Sequence, residues 1–304
     1  MDVYIISYFG KGKDAAVRHS YHYQQLCVLL QTPGVEDIHI LAMDYESIAD
    51  RGTRPDYSLY LPHPRIHYHK SELVPPSQAR NKLLKIFNAT NKPWGLFADN
   101  DAYIDIRHQG KDIVEQVEKW ADTLAAHCDV ISLIYGGHTP YNKKIEEYGD
   151  SVDTHIGLAK LNYLKTTIYF AKNKTYYGED IIYFDETLKE MEDFEYQGRL
   201  LAHGNGIYQF RAVIMMDLGV SVSTLFPDDN RTAGWETIKE DIYNRYKEYG
   251  AEKVNGKIIW AKMEDKFNKL PRYLWLPYNG KEIDIHRTNK INTNTFNQLF
   301  EIEE

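Results

Sequence analysis

Apolar runs alternate with amphipathic stretches along the first half of the chain. The apolar runs have the length of buried strands, and the stretches between them repeat apolar residues with helical spacing. The predicted strands are residues 3–8, 37–43, 66–69, 94–98 and 129–135. The predicted helices are residues 15–30, 78–89 and 109–126. Because strands that alternate with helices form helix-covered parallel sheets, the pattern indicates an α/β fold with a largely parallel central sheet.

The regular alternation ends after residue 135. Residues 136–150 have the composition of a long loop, and residues 154–167 fit either a strand or a loop. Beyond them the pattern predicts strands at residues 168–171, 181–184, 207–216 and 257–261, and helices at residues 191–203 and 235–249. Such a break in the alternation is typical of an insertion that shapes a substrate pocket.

The composition is that of an ordinary enzyme. The chain has 304 residues, of which 43% are hydrophobic, enough for one large α/β domain with an appendage. We expect a main domain over residues 1–217 and a smaller C-terminal extension over residues 218–304 that packs on it. No apolar run approaches the roughly 20 residues of a membrane span, and the first residues enter a strand without a leader. We therefore expect a cytoplasmic protein; its oligomeric state is not predicted.

Cysteine content and charge narrow the function classes. The only two cysteines, Cys27 and Cys128, lie far apart in sequence, so neither a disulfide framework nor a cysteine-based zinc site is indicated. The formal net charge of −8 weighs against a broad basic surface that grips nucleic acid. A local basic patch remains compatible with this charge.

Two carboxylates follow the apolar run at residues 94–98. Asp99 and Asp101 lie one residue apart at the predicted C-terminal end of a strand, where α/β sheets bind their ligands. Carboxylate oxygens are preferred ligands of hard divalent cations such as Mg²⁺ and Mn²⁺, which share their remaining coordination positions with phosphates. The pair therefore predicts a metal site, with a solvated turn as the alternative.

Three further positions are candidates for binding or catalysis. Asp44 follows the second strand and is suited either to a ribose or base contact or to a helix N-cap. Arg80 lies in the first turn of a helix, where an anion is favoured, and is suited either to a phosphate or base or to the surface. A later helix begins with Glu192, Asp193 and Glu195, which either complement the helix dipole or supply a general base.

Taken in order, these residues resemble a known family. The chain resembles GT-A-fold glycosyltransferases of the family-2-like kind over roughly residues 1–217. The resemblance rests on Asp44, Ala79-Arg80-Asn81, Asp99-Asn100-Asp101, Glu192-Asp193, and Arg199-Leu200-Leu201 with Gly204. It implies a mixed, mostly parallel, Rossmann-like sheet flanked by helices and a smaller C-terminal extension that helps to form the acceptor site.

The resemblance also implies a UDP-sugar donor and a Mn²⁺ or Mg²⁺ cofactor. Asp44 would contact the uridine, Tyr8 would lie in the nucleotide site, and Arg80 would contact the base or the diphosphate. Asp101 would ligate the metal, and Asp99 would contact the metal or the ribose.

The same resemblance implies a catalytic base and a third metal ligand. Asp193, from the Glu192-Asp193 pair, would deprotonate the acceptor hydroxyl in an inverting transfer. His286 matches a late histidine that completes the metal shell in some members.

A narrower resemblance concerns the acceptor. Residues 75–84 and 97–102 resemble the glycosyltransferases of T-even-like bacteriophages and of the TET-associated group. This implies 5-hydroxymethylcytosine in DNA as the acceptor, in which a duplex base must be flipped out, and a location in the host cytoplasm. The lysines and arginine of residues 262–272 and the Lys143-Lys144 pair are suited to phosphates or to plain surface exposure.

Other functions remain open at this stage. One is a GT-A transferase that acts on a saccharide or a lipid-linked glycan. A different class, the aspartate-nucleophile phosphatases, also places Asp-x-Asp after a strand, but normally near the N-terminus and not followed by Ala102-Tyr103. A sugar nucleotidyltransferase is disfavoured because residues 9–13 lack that class's glycine-rich arginine loop. A non-catalytic binding module is the remaining alternative.

Overall fold

The computed structural model describes most of the chain. The described residues are 1–8, 13–43, 62–104, 112–135, 155–161, 164, 166–188, 190–203, 206–217, 234–260, 263 and 273–277. Asp44, His286, the predicted loop at residues 136–150 and all of the basic residues in 262–272 lie outside these ranges.

A ten-stranded mixed sheet organises the described residues. Its strands are β1 (Asp2–Ser7), β2 (Ile38–Ala42), β3 (Ile66–Lys70), β4 (Trp94–Asp99), β5 (Ala102–Ile104), β6 (Cys128–Tyr135), β7 (His155–Leu161), β8 (Ile168–Lys172), β9 (Gly206–Asp217) and β12 (Tyr273–Pro277). Strands β10 (Glu252–Val254) and β11 (Lys257–Ile259) form a separate antiparallel hairpin.

The order of the main sheet is β12-β7-β9-β6-β8-β4-β1-β2-β3, with β5 paired to β9. Strands β1 to β4 are mutually parallel, and β6 is parallel to β9. Antiparallel pairing reverses β5, β7 and β8 relative to the other strands. The prediction of a mixed, mostly parallel sheet is therefore confirmed.

Helices cover both faces of this sheet. They are α1 (Lys13–Gln31), α2 (Pro76–Asn88), α3 (Ile113–Lys119), α4 (Ala121–Ala125), α5 (Glu192–His203) and α6 (Trp235–Tyr246). Helix α6 continues into a 3₁₀ turn and ends at Gly250, whose φ of 108° is left-handed and suits glycine. None of the helices within the described ranges is long and apolar enough to cross a membrane.

The two faces carry separate apolar cores. Side chains from α1, α3 and α4 pack with Val3 and Ile5 of β1 in one core. Side chains from α2, α5 and α6 pack with Tyr4 and Phe97 in the other. Successive residues of β1 thus point to opposite faces, as expected for a strand buried on both sides.

The structure corrects two details of the predicted elements and decides a third. Residues 181–184 do not form a strand, because the Asn81 side chain bonds both the backbone N–H and the carbonyl of Phe184, at 2.8 and 2.9 Å. Over residues 112–126, the described part of the predicted helix 109–126, the chain instead forms α3 and α4, separated at Trp120, whose φ of −105° and ψ of 19° are not helical. Residues 155–161, left open between strand and loop, are β7.

Strand β12 and helix α6 are among the parts of residues 218–304 that contact the rest of the chain. Strand β12 pairs antiparallel with β7 and extends the main sheet. Helix α6 and Trp260 lie against α5 so closely that a Cβ atom on Gly198 would come within 2.9 Å of both Tyr246 and Trp260. The division into a main domain and a C-terminal extension stays a prediction.

Candidate functional site

A cleft of about 210 Å³ opens at the C-terminal ends of β1, β2 and β4. It is lined by Ile6, Tyr8, Arg18, Met43, Pro76, Arg80, Asp99, Asn100, Asp101 and Glu192. The sequence-predicted residues Tyr8, Arg80, Asp99, Asp101 and Glu192 are therefore brought together here. The acidic pair lies where parallel strands end, as the sequence predicts.

The turn between β4 and β5 presents the two carboxylates. The Asp99 backbone N–H donates to the Thr167 carbonyl at 2.8 Å. The side-chain amide of Asn100 donates to the Tyr8 carbonyl at 3.3 Å and so ties the turn to the end of β1. The Asp99 side chain is 36% exposed, and Asp101 is half-buried. Both carboxylates are accessible from the cleft, while Asn100 holds the backbone between them.

Two buried polar residues of α1 support this turn. The side-chain amide of Gln25 donates to the carbonyl of Asp99 at 2.6 Å and also to the carbonyl of Ala102. The Gln25 side-chain oxygen lies 3.0 Å from Nδ1 of His22. Burial lowers the pKa of His22 to about 4, so at neutral pH its ring is uncharged and Nδ1–H can donate to Gln25.

The sequence reasoning missed His22 and Gln25, although a signal was present. His22, Gln25, Leu26 and Leu29 are buried with the spacing of one helical face. Two polar residues on an otherwise apolar stripe need buried partners, and the partners turn out to be groups of the acidic turn. Arg18, also on α1, lines the cleft and was likewise not indicated by the sequence.

Arg80 is buried between the acidic turn and the start of α5. It is only 7% exposed, which excludes the alternative of a plain surface arginine. Its guanidinium lies 3.4 Å from Asp99 Oδ1 and 3.8 Å from Glu192 Oε1, and it donates to the Thr166 hydroxyl at 3.2 Å. Burial opposes the charge of Arg80, but Asp99 and Glu192 outweigh this effect and raise its pKa. Arg80 thus joins the two acidic segments of the cleft.

The acids at the start of α5 have different environments. Glu192 lines the cleft and is 9% exposed. Burial raises its pKa, Asp193 adds to this effect, and Arg80 opposes it. Asp193 is half-buried and accepts a hydrogen bond from the Phe194 backbone N–H at 2.8 Å. Among the described residues that line the cleft, Glu192 is present and Asp193 is not.

Two neighbours of this pair, Met191 and Glu195, have unusual environments. Met191, just before the helix, has a φ of 58°, a left-handed conformation that costs a non-glycine residue free energy and recurs at functional sites. Glu195 is fully buried, and its Oε1 accepts from the Tyr246 hydroxyl at 2.6 Å and from Arg199 Nη2 at 2.7 Å. Glu195 therefore anchors α5 to α6, and Glu192 and Asp193 remain as the candidates for chemistry.

The Asp99–Asp101 pair fits a divalent cation by its donor chemistry. Within the part of the chain that the structure describes, no group of three or more His, Cys, Asp or Glu side chains is placed to hold a metal. Mg²⁺ typically takes only one or two carboxylates and completes its shell with substrate phosphates and water. His286, the predicted third metal ligand, and Asp44, the predicted uridine contact, lie outside the described residues.

The burial of His22 makes stability depend on pH. Its ordinary pKa of 6.5 falls to about 4 in the folded chain, so between these values the unfolded chain binds a proton that the folded chain does not. The difference changes the free energy of unfolding by about 3 kcal/mol in total. This stability is fully present above pH 6.5 and is lost as the pH falls towards 4. We expect a His22→Asn variant, which keeps a donor near the Nδ1 position, to lose less stability over that range. Urea unfolding of both proteins at pH 7 and 4.5 measures the difference, and equal losses would contradict it.

The chain was also compared with known proteins. No protein-family model matches it, and no curated protein sequence does. Among solved structures it is similar to S. aureus TarS, with 16% identity and a TM-score of 0.46 over 80% of this chain. It is similar to S. aureus TarS 1-349 in complex with UDP, with 16% identity and a TM-score of 0.47 over 98% of this chain.

A third similar structure is GalNAc-T7 with UDP, GalNAc and Mn²⁺, with 10% identity and a TM-score of 0.48 over 82% of this chain. The matches cover 39% of the TarS chain, 77% of the TarS 1-349 chain and 49% of the GalNAc-T7 chain. We base the functional proposal on the residues of the cleft.

Proposed function

We propose that the chain is a metal-dependent GT-A glycosyltransferase that moves a sugar from a UDP-sugar to a hydroxyl acceptor. The observation that carries this proposal is the cleft itself. It gathers Asp99, Asp101, Arg80 and Glu192 at the C-terminal ends of parallel strands. Sugar transfer from a nucleoside diphosphate needs three kinds of group. These are carboxylates for a cation, guanidinium groups for an anion, and a second acidic segment.

The donor diphosphate would lie beside the acidic turn. Asp99 and Asp101 would hold Mg²⁺ or Mn²⁺, which when bound offsets the charge that develops on the leaving diphosphate. Arg18 and Arg80 line the same cleft and favour an anionic ligand. Tyr8 and Met43 line the cleft at the ends of β1 and β2, and Asp44 follows Met43 directly, which suits this side to the nucleoside.

The acidic segment at the start of α5 would supply the general base. A hydroxyl that attacks C1 of the sugar loses its proton as the new bond forms, and a nearby carboxylate accepts that proton. Asp193 is our candidate for this role. Glu192, which lines the cleft and has a raised pKa, is the second candidate. A base placed opposite the leaving group is consistent with an inverting transfer.

For the acceptor we propose 5-hydroxymethylcytosine in DNA, on the narrower motif resemblance at residues 75–84 and 97–102. A saccharide or lipid-linked glycan is the alternative within the same reaction class. The basic residues suited to DNA phosphates, Lys143 and Lys144 and those within residues 262–272, lie outside the described ranges.

A donor and acceptor panel tests the proposed function. We expect turnover of at least one UDP-sugar in the presence of Mn²⁺ or Mg²⁺, with loss of turnover in EDTA. Mass spectrometry of hydroxymethylated DNA, saccharide and lipid acceptors identifies which one gains the sugar. Sugar transfer to a glycan, with the DNA left unmodified, would contradict the proposed DNA acceptor but not the proposed transferase activity. Phosphate release from simple phosphomonoesters without any sugar transfer would instead support the phosphatase alternative.

A further inference from the structure

A buried amide lies directly beneath the acidic turn. Gln25 is 0% exposed and His22 is 1% exposed, and both lie on the face of α1 that packs against the sheet. A buried amide without partners costs free energy, so such a residue is retained only where its hydrogen bonds are satisfied. The partners of Gln25 show what it supports.

The hydrogen bonds of Gln25 permit only one orientation of its amide. The amide nitrogen has two N–H donors, and both are directed at carbonyls, those of Asp99 and Ala102. Its oxygen faces Nδ1 of His22 at 3.0 Å and therefore needs a donor there. A flipped amide would place its oxygen against two carbonyl oxygens, so these carbonyls fix the orientation of the amide. His22, in the tautomer protonated at Nδ1, then supplies the donor that the amide oxygen needs.

The two carbonyls bracket the residues that form the turn. Asp99 O and Ala102 O lie on either side of Asn100 and Asp101, so the Gln25 amide joins the two ends of the turn. The Asn100 side chain also holds the middle of the turn to the Tyr8 carbonyl. The backbone that sets the spacing of the Asp99 and Asp101 carboxylates is therefore held at its two ends and at its middle.

We propose that Gln25, whose amide oxygen is held by His22, is a positioning residue that keeps the Asp99–Asp101 turn in the shape that binds a divalent cation. This inference rests on the proposed function, because it assumes that the turn is the metal site. Mg²⁺ and similar ions demand near-ideal ligand geometry, and residues that orient metal ligands typically change metal affinity by about 10- to 100-fold. Gln25 contacts the turn through the backbone carbonyls of Asp99 and Ala102 and would not touch the cation.

The test measures the binding of Mn²⁺ in the presence of UDP directly, by calorimetry. Gln25→Met removes both donors at similar side-chain size, and we expect it to weaken Mn²⁺ binding about 10- to 100-fold. Gln24→Met is the matched control, because Gln24 is the adjacent glutamine on the exposed side of α1 and donates to the Tyr103 hydroxyl at 3.3 Å. The control should bind Mn²⁺ as the unaltered chain does.

A second pair of variants covers the case in which Gln25→Met does not fold. His22→Phe removes the partner of the Gln25 side-chain oxygen and should weaken Mn²⁺ binding, whereas His22→Asn keeps a donor near the same place and should preserve it. A role in core stability alone would lower the melting temperature of these variants and leave the Mn²⁺ affinity of the folded protein unchanged.

The outcomes separate this inference from the proposed function. If the unaltered chain binds Mn²⁺ with UDP and the folded Gln25→Met or His22→Phe protein binds it equally well, the positioning role is overturned and the metal site stands. If the unaltered chain does not bind Mn²⁺, the metal-dependent function and the inference both fail. Weaker binding in Gln25→Met and His22→Phe, with normal binding in Gln24→Met and His22→Asn, supports the positioning role.

Discussion

Replacing Asp101 with alanine is expected to lower metal-dependent sugar transfer by about a thousand-fold. Asp101 lines the cleft beside Asp99, and its removal leaves the proposed cation with a single carboxylate from the turn. Metal stabilisation of the charge on a leaving group is worth several kcal/mol, and each 1.36 kcal/mol changes the rate about tenfold. The loss should persist at saturating acceptor, since the affected interaction concerns the leaving diphosphate.

Initial rates over a range of Mn²⁺ concentrations measure this effect, with Asp180→Ala as the control. Asp180 is an exposed aspartate outside the cleft, so its replacement removes the same charge without touching the site. Transfer by Asp101→Ala at the normal rate would contradict the assignment of the metal to this turn. Partial recovery at high Mn²⁺ would indicate that Asp99 and the donor phosphates still hold the ion weakly.

The second large effect is expected for Asp193→Asn. The amide has nearly the shape of the carboxylate but cannot accept the acceptor's proton, so kcat should fall about 10²- to 10⁴-fold. Donor affinity should remain close to normal, because Asp193 is not among the described residues lining the cleft. Calorimetric UDP binding and steady-state kinetics separate the two quantities.

Glu192→Gln is the necessary comparison, because Glu192 and Asp193 are adjacent in sequence and Glu192 is the one that lines the cleft. Glu192 Oε1 lies 3.8 Å from Arg80 Nη1, so its replacement should disturb Arg80 and weaken donor binding. If Asp193→Asn retains transfer and Glu192→Gln loses kcat with normal donor binding, the base is Glu192. Retention of transfer in both variants would place the base on another residue.

The sequence pattern could identify some of the acidic site residues but not others. Asp99 and Asp101 were identifiable because a buried strand directly precedes them, and strand ends in α/β sheets bind ligands. The three acids at the start of α5 were not separable by pattern. Glu195 packs against Tyr246, which is 51 residues away, whereas Glu192 faces the cleft. Only the packing of α6 on α5 distinguishes them.

The one predicted strand that does not form shows the same limit. Residues 181–184 have the composition of a strand, but the Asn81 side chain, 103 residues away, takes both hydrogen-bonding groups of Phe184. A side-chain partner this distant leaves no periodic signal near Phe184. Strand β12, which pairs with β7 at the edge of the sheet, was not predicted either.

The sequence by itself determined the order of the longer strands and helices of the first half, the largely parallel sheet, and the position of the acidic pair at a strand end. These features follow from the local periodicity of apolar residues. The tertiary structure alone decided that Arg80 is buried between Asp99 and Glu192, and that His22 and Gln25 hold the acidic turn from beneath. Gln25 and Asp99 are 74 residues apart, and a buried polar group finds its partner through chain folding, not through neighbouring sequence.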